Sequence, residues 1–176
     1  MAGDERLRLF LALRLPDDVL DALVAWQETL ALGRRVLREN LHVTLAFLGH
    51  RPVSELPSIV EALRDAAARA RPPLLSVERY RETRSVGMVV LGDAGGRATA
   101  LAADLHGRLE RLAVYEPERR PWLPHVTVLR FGERPRLRPE LPSFAPFVPS
   151  DAAAYLSRPS RSGARYEVVD AFALGG

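Results

Sequence analysis

The chain has 176 residues, 47 % of them hydrophobic, a length and apolar content that fit one domain, 1–176, with a sizeable core. It holds no cysteine, which excludes disulfides, zinc–thiolate centres and cysteine nucleophiles, and it has no run of about 18 apolar residues to span a membrane. The net charge is +3, the pI is about 9.9, and all 25 basic residues are arginine. This balance is compatible with a nucleic-acid partner without requiring one. The arginine usage fits a genomic composition bias as well as phosphate recognition by guanidinium forks. The start, 1–6, carries acidic residues and runs directly into a strand-like segment, unlike a signal peptide, so a cytoplasmic protein is expected.

Leucine at every second position makes 7–15 a strand. Pro16-Asp17-Asp18 then opens a helix over 17–31, with acidic residues in its first turn and Gly33 as its terminator. A connector at 34–40 leads to a strand at 41–48 and a turn at 49–52. A second helix runs over 54–70 and is stopped by Pro72-Pro73. Residues 74–81 and 86–91 read as a hairpin, and a third helix covers 97–112 with a stripe of Leu101, Leu105, Leu109 and Leu112. A charged loop at 115–121 leads to a strand at 123–131. Five prolines between 133 and 150 mark an irregular surface loop, ordered or partly mobile, and two last strands are expected at 152–157 and 166–174. The order β-α-β-α-β-β-α-β-loop-β-β predicts a duplicated, two-lobed α+β fold: antiparallel sheets flanked by helices, with a central cleft.

One short pattern occurs twice. Residues 41–49 read Leu-His-Val-Thr-Leu-Ala-Phe-Leu-Gly, and 124–132 read Pro-His-Val-Thr-Val-Leu-Arg-Phe-Gly. The histidines, His42 and His125, stand 83 positions apart, close to half the chain. On a strand, residues i and i+2 share a face. So His42 lies beside Thr44 and His125 beside Thr127, and pseudo-symmetry brings the two faces together. Strict alternation puts Phe47 in the core and Arg130 on the face opposite His125. His50, in a turn, and His106, on a helix, read as solvated.

With both motifs placed, the chain resembles the 2H phosphoesterases, and within them the RNA 2′,3′-cyclic phosphodiesterase (2′-5′ RNA ligase) branch. The resemblance rests on 8–13, on 40–49, on 124–130 with its leading proline and trailing arginine, and on Tyr155, Leu156, Ser157, Gly163 and Tyr166. It spans nearly the whole chain. Residues 132–150 and 156–161 depart from the family pattern, which bears on loops that touch substrate and not on the motifs. The resemblance implies His42 as proton donor to a leaving 3′ oxygen and His125 as the base that activates water. It also favours a phosphate-binding role for Arg130. Arg8 borders the expected site, and Trp122 is the best candidate for stacking a base.

Opening a 2′,3′-cyclic phosphate needs one neutral and one charged imidazole. Threonine hydroxyls beside them can donate hydrogen bonds to the non-bridging oxygens. The scheme needs no metal or other cofactor, and the chain has no His-x-His or His-x-x-x-His spacing. The partner that the resemblance implies is RNA with a 2′,3′-cyclic phosphate end, tRNA fragments among the candidates, handled by a monomer that makes 2′-phosphate and can run backwards as a 2′-5′ ligase. Two alternatives stand beside it: a 2H enzyme of small cyclic nucleotides or 2′-5′ oligonucleotides, and an RNA-end binding protein without turnover.

Overall fold

Alternating leucines give the first strand two unlike faces, and these two faces organise the molecule. The structure, a computed structural model, describes residues 5–175; the expectation that the chain begins without a signal peptide falls largely on 1–4, outside them. The elements are β1 (Arg6–Arg14), α1 (Asp17–Gln27), β2 (Arg34–Arg35), β3 (Val43–Pro52), α2 (Leu56–Arg69), β4 (Leu75–Glu82), β5 (Val86–Asp93), α3 (Arg97–Arg111), β6 (His125–Arg130), β7 (Asp151–Ser160) and β8 (Gly163–Phe172). All eight strands join one antiparallel sheet in the order β4-β5-β6-β3-β1-β7-β8, with the short β2 attached to β6. The fold is α+β, as the element order predicts.

Leu9, Leu11 and Leu13 of β1 enter the main core with Val19 and Leu23 of α1, Ile59 and Leu63 of α2, and Leu105 and Leu109 of α3. Phe10 and Ala12, the intervening residues, pack on the other side of the sheet with Ala153 and Tyr155 of β7. One face therefore carries the helices and the other is left to form a cleft. Among the described residues no helix is long and apolar enough to cross a membrane.

Two local expectations are corrected. Helix α1 ends at Gln27, short of residue 31, and Gly33 (φ +97°) instead turns the chain into β2. That left-handed conformation favours glycine. The expected connector at 34–40 contains β2, which hydrogen-bonds across to β6. The proline-rich segment is irregular but tied down. Trp26 donates its indole N–H to Glu140 O at 2.7 Å, Phe147 and Leu75 exchange two backbone hydrogen bonds of 2.9 Å, and Ser150 N donates to Arg14 O at 2.8 Å. The buried Glu82 carboxylate adds anchors by accepting from Leu137 N, Tyr80 Oη and Arg134 Nε. These donors hold Glu82 below its usual pKa although burial pushes the other way.

Candidate active site

The two motif strands are the central neighbours of the sheet and pair through a single residue couple, Val43 with Val126. Each valine is the middle residue of a His-Val-Thr triplet. The antiparallel sense about that couple places His42 on the side of Thr127 and Thr44 on the side of His125. Duplication thus brings together four chemically active side chains that the sequence keeps far apart.

Both imidazoles are held in the same way. His42 Nδ1 lies 2.7 Å from Asn40 O, and His125 Nδ1 lies 2.8 Å from Leu123 O, in each case the carbonyl two residues upstream. A carbonyl only accepts, so Nδ1 carries the hydrogen in both rings and Nε2 is left as the nitrogen that can exchange a proton. His42 Nε2 is 2.9 Å from Thr44 Oγ1. When the ring is neutral the hydroxyl donates to it.

Their surroundings differ. The His42 ring packs 4.9 Å from Phe10 and 5.7 Å from Tyr166, and Phe10 in turn stacks on Tyr155 at 4.8 Å. Burial in this aromatic nest pushes the His42 pKa down to about 4. The Asn40 carbonyl opposes the shift, and the positive charges of His125 and Arg130 add to it. In the free protein His42 is neutral at pH 7.

Beyond the threonines both motif strands break the two-residue period. On β3 the pairing with β1 passes from Ala12–Thr44 to Leu11–Ala46, leaving Leu45 as an extra residue. On β6 the pairing with β5 passes from Met88–Thr127 to Gly87–Leu129, leaving Val128 extra. A bulge of this kind reverses the facing of everything after it. Leu45 and Ala46 both enter the core, as do Val128 and Leu129. Phe47 and Arg130, five residues after their histidines, then turn to the cleft. The expectation of a core Phe47 is corrected: it is 49 % exposed. The parity objection to Arg130 falls for the same reason.

Each bulge carbonyl has a side-chain donor from a helix. His106 Nε2, on α3, donates to Leu45 O at 2.7 Å, and its ring stacks on Tyr115 at 4.7 Å. Gln27 Nε2, at the end of α1, donates to Val128 O at 2.8 Å and to Val36 O at 3.0 Å. His106 is therefore not a solvated surface residue. Its distance in sequence from Leu45 hides the contact. Gln27 was missed as well, although a glutamine only 2 % exposed has a clear structural cause once the bulge is seen.

The cleft has a volume of about 310 Å³ and is lined by His42, Thr44, Phe47, Thr127 and Arg130, together with Arg8, Phe10, Arg34, Asn40 and Tyr166. His125 borders it across the strand seam without lining it, close enough for its charge to act on His42. Arg8 lies over the Phe47 ring, 5.2 Å from its centroid. Trp122 does not line the cleft. Its indole N–H donates to Thr44 O at 3.0 Å, so it supports the motif strand from behind and is not placed to stack a base there. Residues 162–164 at the tip of the β7–β8 hairpin also reach the cleft, and Asn40 Nδ2 fixes that tip through Ala164 O at 3.0 Å. Neither Asn40 nor the tip announces this role by residue type.

A curled antiparallel sheet that presents two His-x-Thr strands at its centre defines a 2H phosphoesterase. The chain belongs to the 2′-5′ RNA ligase superfamily, whose family model matches residues 15–156. It is similar to the RNA 2′,3′-cyclic phosphodiesterase of Thermus thermophilus, at 33 % identity over 97 % of this chain and 91 % of that protein. It is also similar to the protein of the same name from Escherichia coli, at 29 % identity over 97 % and 98 %. The crystal structure of Thermus thermophilus TT0787 superposes with a TM-score of 0.81 at 30 % identity, covering 97 % of this chain and 99 % of that one.

Proposed function

We propose that this protein hydrolyses RNA 2′,3′-cyclic phosphate ends to 2′-phosphates by two-histidine acid–base catalysis. The observation that carries the proposal is the pairing of the two motif strands at Val43–Val126, with both imidazoles pinned through Nδ1. It accords with the activity for which the Thermus thermophilus and Escherichia coli relatives are named.

In this scheme His125 Nε2 takes a proton from water as the water oxygen attacks phosphorus. The bond from phosphorus to O3′ breaks, and His42 Nε2–H gives its proton to that oxygen. Thr44 and Thr127 donate to the non-bridging oxygens as charge grows there, and Arg130 neutralises it. For His42 to act as acid it must first become charged. Burial keeps the ring neutral in the free protein, and an arriving phosphate anion beside it favours the charged form and offsets the smaller repulsion from Arg130. The reverse path joins a 5′-hydroxyl end to the cyclic phosphate through a 2′-5′ linkage. One chain, 1–176, supplies both histidines, so we take a monomer as the working unit.

The test is to incubate the protein, in EDTA, with an oligoribonucleotide ending in a 2′,3′-cyclic phosphate and to identify the product end. A 2′-phosphate is expected. A 3′-phosphate would reverse the assignment of the leaving oxygen, and no product would defeat the reading.

A further inference from the structure

Arg34 is the direct cross-strand partner of Arg130 where β2 meets β6. Two like charges in that position repel each other, and side chains so placed are within reach of a common ligand. Among the described residues neither arginine is in an ion pair, a state that most arginines of this chain share, so both charges are open to a ligand. What sets this couple apart is that a hydrogen-bonded strand pair holds its two charges side by side.

The couple also sits at a junction. Arg34 and Arg130 line the catalytic cleft, and the same two residues line an adjoining groove with Gly33, Phe131 and Gly132 on the far side. The glycines leave that groove without side chains to block it. The half-exposed ring of Phe47 and Tyr166 flank the cleft side. A cationic track with an aromatic surface beside it is how proteins hold single-stranded nucleic acid. A mononucleoside cyclic phosphate has one phosphate, which the two histidines engage, and nothing to offer a second anion site. An RNA chain has its next phosphodiester.

We propose that Arg34, next to the Arg130 that serves the cyclic phosphate, binds the internal phosphodiester nearest the cyclic end, and so selects RNA chains over mononucleotides. This rests on the hydrolysis proposed above. The two neighbouring phosphates of an RNA end, one on each guanidinium, offset the repulsion between Arg34 and Arg130.

The test compares kcat/KM for a short oligoribonucleotide 2′,3′-cyclic phosphate with that for a mononucleoside 2′,3′-cyclic phosphate, in the wild type, Arg34→Gln and Arg34→Lys. The wild type is expected to prefer the oligonucleotide. That preference should fall about tenfold in Arg34→Gln, as for the loss of one charged hydrogen bond, and be partly restored in Arg34→Lys. The log–log salt slope for oligonucleotide binding should become shallower by about 0.7. An oligonucleotide whose last internal linkage is a neutral methylphosphonate should be a poorer substrate for the wild type and no poorer than its parent for Arg34→Gln. Hydrolysis of both substrates with the same preference in wild type and Arg34→Gln would overturn the subsite alone. Hydrolysis of neither by the wild type would overturn the activity and the subsite together.

Discussion

The two halves of the cleft share one backbone plan and diverge most plainly in one position of it. In each, a histidine is pinned through Nδ1 to the carbonyl two residues upstream, a threonine follows two residues later, and a bulge follows the threonine. In each, the fifth residue after the histidine swings into the cleft. There the first half places Phe47 and the second Arg130. In the proposed reaction the plan supplies two proton-transfer groups, and the divergence supplies an apolar wall and a cation. A substrate with a base at one end and a phosphate at the other needs that asymmetry, which strict symmetry would deny it.

The comparison can be broken in four ways. The largest effect is expected from the shared part: His42→Ala and His125→Ala should each lower kcat on the cyclic phosphate by about 10²–10⁴-fold. Far-UV circular dichroism should stay unchanged. Wild-type turnover in either variant would end the two-histidine scheme. Next comes the divergent position. Arg130→Ala removes a charge from the transition state and should cost about 10²-fold or more in kcat. Phe47→Ala removes a stacking surface and should raise KM about tenfold with kcat much less affected. Equal kcat losses would mean that the two positions do the same job.

A smaller effect should come from the donors behind the bulges. Gln27→Ala and His106→Ala each remove a donor to a buried carbonyl and should cost about 1–3 kcal/mol in urea unfolding. Gln27→Ala should also show the kinetic signature of Arg130 loss, and His106→Ala that of Phe47 loss. Thermal stability that falls with kinetics unmoved would assign both to packing alone. The smallest effect concerns pH. His42 has its pKa lowered from 6.5 to about 4, so the unfolded chain takes up its proton first as the solution is acidified. The resulting stability is present above about pH 6.5 and is lost as pH falls towards 4. His42→Gln should flatten that part of the pH profile. In NMR titrations inorganic phosphate should raise the His42 pKa, and a pKa unmoved by phosphate would count against His42 as the acid.

Much of this arrangement is legible in the residues themselves. Alternating leucines give β1, the helices announce themselves by stripe and acidic first turn, and the repeated His-Val-Thr gives the centre. The two-residue period fails just after each threonine. Leu45 and Val128 are ordinary strand residues, and nothing in their type marks a bulge. The groups that satisfy the bulge carbonyls, His106 and Gln27, lie 61 and 101 positions away in sequence. Period-based reasoning therefore buries Phe47 and turns Arg130 away. Pro16 and the acidic residues at 17–18 locate the start of α1, but past Gln27 the backbone tightens into turns closed by Thr29 N to Trp26 O and Leu30 N to Gln27 O, which no residue type there marks.

The bulge donors also cross over. Gln27 belongs to the first half and serves the second motif strand, while His106 belongs to the second half and serves the first. The pairing of β2 with β6 crosses in the same direction as Gln27. A chain cut between α2 and β4 would give two fragments, each carrying the other's missing support. Such fragments are complementary by construction, and covalent continuity gives one chain the supports that two separate pieces would have to find by meeting in solution.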